Sequence, residues 1–223
     1  MALQAVGFDI DGTLYPDWRA RSRSLFFLLR HVRPVVAFAR VRRIMRELDE
    51  NPETAEHPVA EVELFAQELK CTVSEARTIR DTVIYAGWEK CFKNVRPYSH
   101  VRESLEALSA AGLKLAALSD FPVGNKLKYF GLDGIFDVEI GFPESQRLKP
   151  RQEPFLEMAR CLDVEPQNIL YIGNKLTYDV RGAEGAGMRG ALIGPPGRSA
   201  PPDVLTFEDY PQMVETLLSE VTS

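Results

Sequence analysis

Five short apolar runs, at residues 5–10, 113–118, 136–140, 169–172 and 191–193, stand between segments of helical periodicity, and this alternation constrains the fold more than any other feature. Runs this short and largely apolar suit buried strands. Strands that alternate with helices form a parallel sheet covered on each side. Helical patterns are expected near 99–110, 123–130, 152–162, 178–186 and 206–220, the last after a Pro-rich loop from Pro195 to Pro202. The sequence therefore predicts an α/β protein.

One long interval breaks the alternation. Between about residues 17 and 94 glycine is nearly absent, and apolar residues recur at threes and fours, as in Leu25, Leu28, Leu29 and Val32 or Val62, Phe65, Ala66 and Leu69. Ser74 is expected to cap a helix ending near Lys93, with Pro97 stopping any continuation. The block reads as an all-helical insertion after the first strand, so residues 1–15 and 97–223 form the α/β core and 16–96 a helical domain.

Charge is segregated. The chain carries a net −5, yet residues 19–46 hold nine Arg and no acid. Glu47, Asp49, Glu50, Glu53, Glu56, Glu61 and Glu63 follow at once, and the two blocks are expected to face each other on neighbouring helices. Overall acidity opposes attraction of a polyanion, so no nucleic-acid partner is expected. The greasiest window, 25–41, is broken by Arg30, Arg33, Pro34 and Arg40, which excludes a membrane span, and no membrane partner is expected. Asp9 and Asp11 interrupt the N-terminal run before it reaches the length of an export signal, and Cys71, Cys91 and Cys161 lack disulfide or zinc spacing. These features predict a cytoplasmic protein. The apolar segment around Phe26, Phe27, Val35, Val36 and Phe38 suits a dimer surface or burial, so monomer and homodimer both stay open.

In open α/β sheets ligands gather at the carboxyl ends of the strands. There the chain reads Asp9-Ile10-Asp11-Gly12-Thr13 after the first run, Ser119-Asp120 after the second, Lys149-Pro150 after a loop, and Gly173-Asn174 with Asp179 after the fourth. Carboxylates at i and i+2 leave a strand on the same side, so Asp9 and Asp11 can converge on one ligand while Gly12 permits a sharp turn. One can attack phosphorus while the other protonates the leaving oxygen and then activates water. A calcium loop would need further oxygen ligands and a distal Glu, which Leu14-Tyr15-Pro16 does not begin to supply. Ser119 can donate to a phosphoryl oxygen, and Lys149 can neutralise transferred charge. Ser119, Asp120 and Lys149 form the expected phosphate-binding group. Tyr15 and Trp18, near the start of the helical block, are expected to pack between domains or to gate the site, and Arg19, Arg21 and Arg23 to reach an anionic substrate or lie on a helix surface.

In this order the motifs resemble the haloacid dehalogenase-like hydrolase superfamily across the whole core: Asp9 to Thr13 as its D-x-D-G-T signature, Ser119, Lys149, and a fourth acidic motif at 173–179 followed by Gly182-Ala183-Glu184-Gly185-Ala186-Gly187-Met188. The resemblance implies a Rossmann-like core with a helical cap inserted after the first motif, as in relatives of phosphoglycolate phosphatase and haloacid dehalogenase. Dehalogenases of the family lack an Asp two residues after the nucleophile, so Asp11 implies hydrolysis of a small phosphorylated metabolite, with Asp9, Asp11, Ser119 and Lys149 catalytic. Family members use Mg²⁺, held by the first Asp, the carbonyl of the second and an acid of the fourth motif, which here gives Asp9, Asp11, Asn174 and Asp179.

The fourth motif departs from the family pattern, because Asn174 and Lys175 stand where Gly-Asp is usual, which removes one negative charge and adds a positive one, so metal affinity should fall. Asp120 stands where Asn is common and is expected to be a turn residue or to restore part of that charge. Three readings stay open: a Mg²⁺-dependent phosphatase acting through an aspartyl-phosphate, a weakened member with a binding or regulatory role, and a phosphotransferase or phosphomutase.

Overall fold

The apolar runs become strands β1 (Ala5–Asp9), β2 (Lys114–Ser119), β3 (Val138–Gly141), β4 (Ile169–Gly173) and β5 (Arg189–Ile193), joined by β6 (Leu205–Phe207). The computed structural model describes residues 2–50, 60–143, 146–195 and 200–221. All five pairings are parallel, in the order β3-β2-β1-β4-β5-β6. This is the parallel α/β arrangement expected from the alternation, and the Rossmann-like core that the family resemblance implies. The chain runs outward from β1 to β3, then returns to β4 on the other side of β1, which creates the crevice where such sheets bind ligands. Every residue of β1 and β4 is buried, which is why these runs are apolar without alternation.

The helical block contains α1 (Asp17–Arg30), α2 (Val32–Glu50), α3 (Glu61–Leu69), α4 (Val73–Ile79), a π-helical turn (Arg80–Tyr85), α5 (Ala86–Glu89) and a 3-10 turn (Lys90–Asn94). Around the sheet lie α6 (Val101–Ala110), α7 (Lys126–Tyr129), α8 (Glu153–Leu162), α9 (Arg181–Gly185) and α10 (Tyr210–Val221). By compactness Met1–Asp17, Arg96–Val123 and Leu127–Ser223 make one unit, and Trp18–Val95 with Gly124–Lys126 a second. The sequence placed the divisions at 15 and 97. It did not anticipate that 124–126 would group with the helices, where Asn125 Nδ2 donates to Glu89 Oε1 at 2.9 Å.

Two local expectations are corrected. The cap of α4 is Thr72 rather than Ser74: its Oγ1 accepts from Glu75 N at 3.3 Å, while Glu75 Oε2 accepts from Thr72 N at 2.9 Å, a reciprocal capping box. Residues 206 and 207, expected in the last helix, belong to β6, because Phe207 buries its ring beside β5 and the helix starts only at Tyr210.

In the sheet unit, α8 lays Phe155, Met158 and Leu162 onto a cluster with Ala116, Leu118 and Tyr171. Gly141, at the end of β3, is fixed by the loop beside it. A Cβ there would lie 2.7 Å from Phe121 O and 2.9 Å from Val123 N, both backbone atoms that cannot swing aside. Gly141→Ala is expected to destabilise the protein by about 1–3 kcal/mol in urea unfolding.

In the helical unit the Arg block does meet the acidic one. Arg42 Nε lies 2.8 Å from Glu61 Oε2, both side chains buried, and Tyr85 donates to Glu61 Oε1 at 2.6 Å. Glu53, Glu56 and most of the loop between Pro195 and Pro202 lie outside the described residues. Among the described residues no helix is long and apolar enough to cross a membrane. Cys71, Cys91 and Cys161 are free thiols.

Candidate active site

The carboxyl ends of β1, β2 and β4, together with the Lys149 loop, bring the chemistry-bearing residues together. After Asp9 the backbone turns at once: Thr13 N and Leu14 N both donate to Ile10 O, at 3.3 and 3.1 Å, with Gly12 at φ +89°. A side chain at position 12 would suffer both from that φ and from crowding. Its Cβ would fall 2.1 Å from Asn174 Nδ2 and 2.4 Å from Asp17 Oδ1.

Asp9 is buried. Its Oδ2 accepts from Thr13 Oγ1 at 2.7 Å and its Oδ1 from Lys149 Nζ at 2.6 Å. Lys149 is equally buried and spends its three N–H donors on Asp9, on Asp179 Oδ1 at 2.7 Å and on Tyr171 OH at 3.1 Å. Burial pushes the Asp9 carboxyl up to about 7, against the pull of Lys149 and with further push from Asp179 and Asp11. Burial would lower the Lys149 ammonium, but the Asp179 and Asp9 carboxylates overcome it and hold the lysine well above its ordinary value. The lysine therefore stays charged beside two acids.

Asp11 has partners of its own. It accepts from Tyr15 OH at Oδ1 and from Ser119 Oγ at Oδ2, both at 2.7 Å. Ser119 Oγ in turn accepts from Phe121 N at 3.0 Å, so the loop braced by Gly141 also orients this hydroxyl. Tyr15 packs its ring against Phe130, tilted and at 5.1 Å between centroids, and it also fixes Asp11.

The structure engages Asp120 and Asp179 through the protein itself. Asp120 Oδ1 accepts from Lys149 N at 2.9 Å, which braces the lysine loop; a carboxylate would repel a phosphate. Asp179 gives Oδ1 to Lys149 and Oδ2 to Lys175 N at 2.8 Å, so both oxygens position neighbours. Gly173 makes this possible, because a Cβ there would lie 2.3 Å from Asp179 Cβ.

Asn174 is buried, and its Nδ2 lies 3.4 Å from Asp11 O. Rotation about its last side-chain bond exchanges Nδ2 for Oδ1 at the same place. Asp9 carboxylate, Asp11 carbonyl and Asn174 amide are hard oxygen donors of the kind a Mg²⁺ ion takes, and the space a Gly12 Cβ would occupy is bordered by Asn174 and Asp17. The donor set fits such an ion. Among the described residues no three His, Cys, Asp or Glu cluster as a metal group. Sequence reasoning missed Asp17 and Tyr171. Asp17 carries no motif, and Tyr171 reads as one more buried residue of β4.

The haloacid dehalogenase-like hydrolase family model matches residues 3–187. Among curated proteins, the glyceraldehyde 3-phosphate phosphatase of Methanopyrus kandleri is 27% identical over 83% of this chain and 82% of its own. The phosphoglycolate phosphatase of Haemophilus influenzae is 27% identical over 66% and 68%. The pyrophosphatase PpaX of Halalkalibacterium halodurans is 30% identical over 46%, and the chain spans about half, 48%, of that relative. Among solved structures, a 2-haloacid dehalogenase from Pseudomonas syringae superposes with a TM-score of 0.68 at 22% identity, covering 98% and 99% of the two chains. A phosphatase of the same family from Thermococcus onnurineus gives 0.63 at 22% identity, covering 96% and 97%. With the fold, the strand-end motifs and a family match over most of its length in agreement, this chain belongs to the haloacid dehalogenase-like hydrolases.

Proposed function

We propose that this hydrolase is a phosphatase of small phosphate monoesters that works through an aspartyl-phosphate on Asp9. The observation that carries the reading is the division of labour between two carboxylates of one turn: Asp9 beside the Lys149 ammonium, Asp11 between the hydroxyls of Tyr15 and Ser119. Asp11 also separates this site from the dehalogenase pattern, and the named activities of the curated relatives act on phosphate groups.

An Asp9 oxygen attacks phosphorus, the ester P–O bond breaks, and the leaving oxygen takes a proton from the Asp11 carboxyl group. The ionised Asp11 then takes a proton from a water that attacks the same phosphorus, the bond from phosphorus to Asp9 breaks, and inorganic phosphate leaves. Lys149 balances charge on the transferred group, and Ser119, held by Phe121 N, turns its one O–H from Asp11 to an oxygen of that group. Asp120, Asp179 and Tyr171 are positioning residues that hold Lys149. Asp9, the Asp11 carbonyl and the Asn174 amide oxygen would hold Mg²⁺, which when bound supplies positive charge against the phosphate's own. The helical unit, inserted after the first motif, serves as the substrate-selecting cap, and the free thiols support a cytoplasmic setting.

Phosphate release from a panel of small phosphate monoesters, with and without Mg²⁺, tests the reading. Release from at least one ester in the presence of the metal is expected; none from any ester by the folded protein overturns it. Asn174 is the one observation that favours a weakened, binding-type member. Asn174→Asp restores the missing charge and is expected to tighten Mg²⁺ binding about tenfold, read by calorimetry.

A further inference from the structure

Within the helical unit, one face of α1 and α2 carries an exposed apolar stripe. Trp18, Leu25, Phe26, Leu29, Val32 and Val36 are between 45% and 76% exposed, whereas only three other large apolar side chains among the described residues are exposed. At 3.6 residues per turn, positions 18, 25, 26 and 29 share one side of α1, while Ala20 and Ser24 on the opposite side are buried. The helical ladder runs through the junction, His31 N donating to Phe27 O and Val35 N to His31 O, both at 3.0 Å. The stripe thus continues from Leu29 to Val32 and Val36, again opposite buried residues, Ala37, Phe38 and Val41.

Along α1 the exposed charge beside the stripe is basic, whereas on α2 Arg40 pairs with Glu68 at 3.6 Å and Arg43 with Glu47 at 3.5 Å. Arg21, Arg23 and Arg30 are exposed beside the α1 stripe, in a segment, residues 19–46, of nine Arg and no acid. Arg21 lies on one flank of the α1 stripe and Arg23 and Arg30 on the other, which is the layout of a helix lying flat in a bilayer interface. At physiological ionic strength charge acts over roughly 8 Å, so an approaching surface meets these arginines rather than the net −5 of the whole chain.

We propose that the α1–α2 face docks this protein onto an anionic membrane surface. The acyl boundary takes Trp18, Phe26 and Leu29, and the headgroup anions take the flanking arginines. A second copy fits less well, because two-fold pairing would lay one Arg-rich face on another. The docking departs from the expectation of no membrane partner, which rested on the lack of a spanning segment. Since no described helix can cross a bilayer, the attachment lies on the surface.

The test is co-sedimentation of the full chain with vesicles of one part phosphatidylglycerol to two parts phosphatidylcholine, and with phosphatidylcholine vesicles as the neutral arm. Binding to the anionic vesicles is expected, weaker by about tenfold or more in Phe26→Ser/Leu29→Ser and in Arg21→Gln/Arg23→Gln/Arg30→Gln. In Trp88→Phe, which leaves Trp18 as the sole indole, emission should shift to the blue on binding. Thermal unfolding confirms that these surface variants remain folded. No binding by the native chain, binding that both variants retain, or a native dimer that Phe26→Ser/Leu29→Ser converts to monomer overturns the proposal.

Discussion

Asp9→Asn is expected to lower turnover of every phosphate ester by about 10⁴-fold or more, because an amide cannot supply the attacking oxygen. The fold should survive, since Asn has nearly the same shape and Lys149 keeps Asp179 and Tyr171 as partners. Steady-state phosphate release checks the rate and circular dichroism the fold. A folded variant that keeps more than a tenth of the native rate would place the nucleophile elsewhere.

Lys149→Met should damage both activity and stability. The ammonium sits 2.6 Å from Asp9 Oδ1 and 2.7 Å from Asp179 Oδ1, all three side chains buried. Methionine fills the space but leaves two acids facing each other without a cation, and breaking a buried pair in this way costs about 3–5 kcal/mol. Turnover should fall about 10²–10³-fold with the loss of charge stabilisation at the transferred group. Adding Asp179→Asn removes one of the stranded charges, so the double variant should regain part of the lost stability in urea unfolding but none of the activity. If Lys149→Met unfolds at the native midpoint, the lysine is not paired as the structure shows.

The parts of the site that could be read in advance are those fixed by local geometry. Asp9, Asp11 and Gly12 declare themselves because a carboxylate pair at the end of an apolar run must leave the sheet together, and Ser119 and Lys149 follow in chain order at comparable ends. The contacts that assign their roles are long-range. That Tyr171 reaches Lys149, that Asp17 stands beside Asn174 over Gly12, and that Asp120 braces the lysine loop depends on how loops meet over the sheet, and no spacing encodes it.

The two missed boundaries have different causes. Thr72 was legible, since a hydroxyl residue three positions before Glu75 is a capping box, whereas Ser74 has Arg77 at that spacing. β6 was not, because three residues at the sheet edge with only Phe207 buried carry too little pattern to distinguish from the start of a helix. The outward stripe of α1 was hidden in a third way: its leucines and phenylalanines recur at the spacing of a core-facing helix, and only the packing shows that part of the apolar set faces out.

The account rests on one covalent event, phosphorylation of Asp9. Acid quenching during turnover of a good ester, followed by peptide mass analysis, reads it directly. The account predicts a phosphate on the peptide that contains Asp9, absent in Asp9→Asn. Steady hydrolysis by the native protein with no phosphate on that peptide, or with phosphate on a different residue, would contradict it.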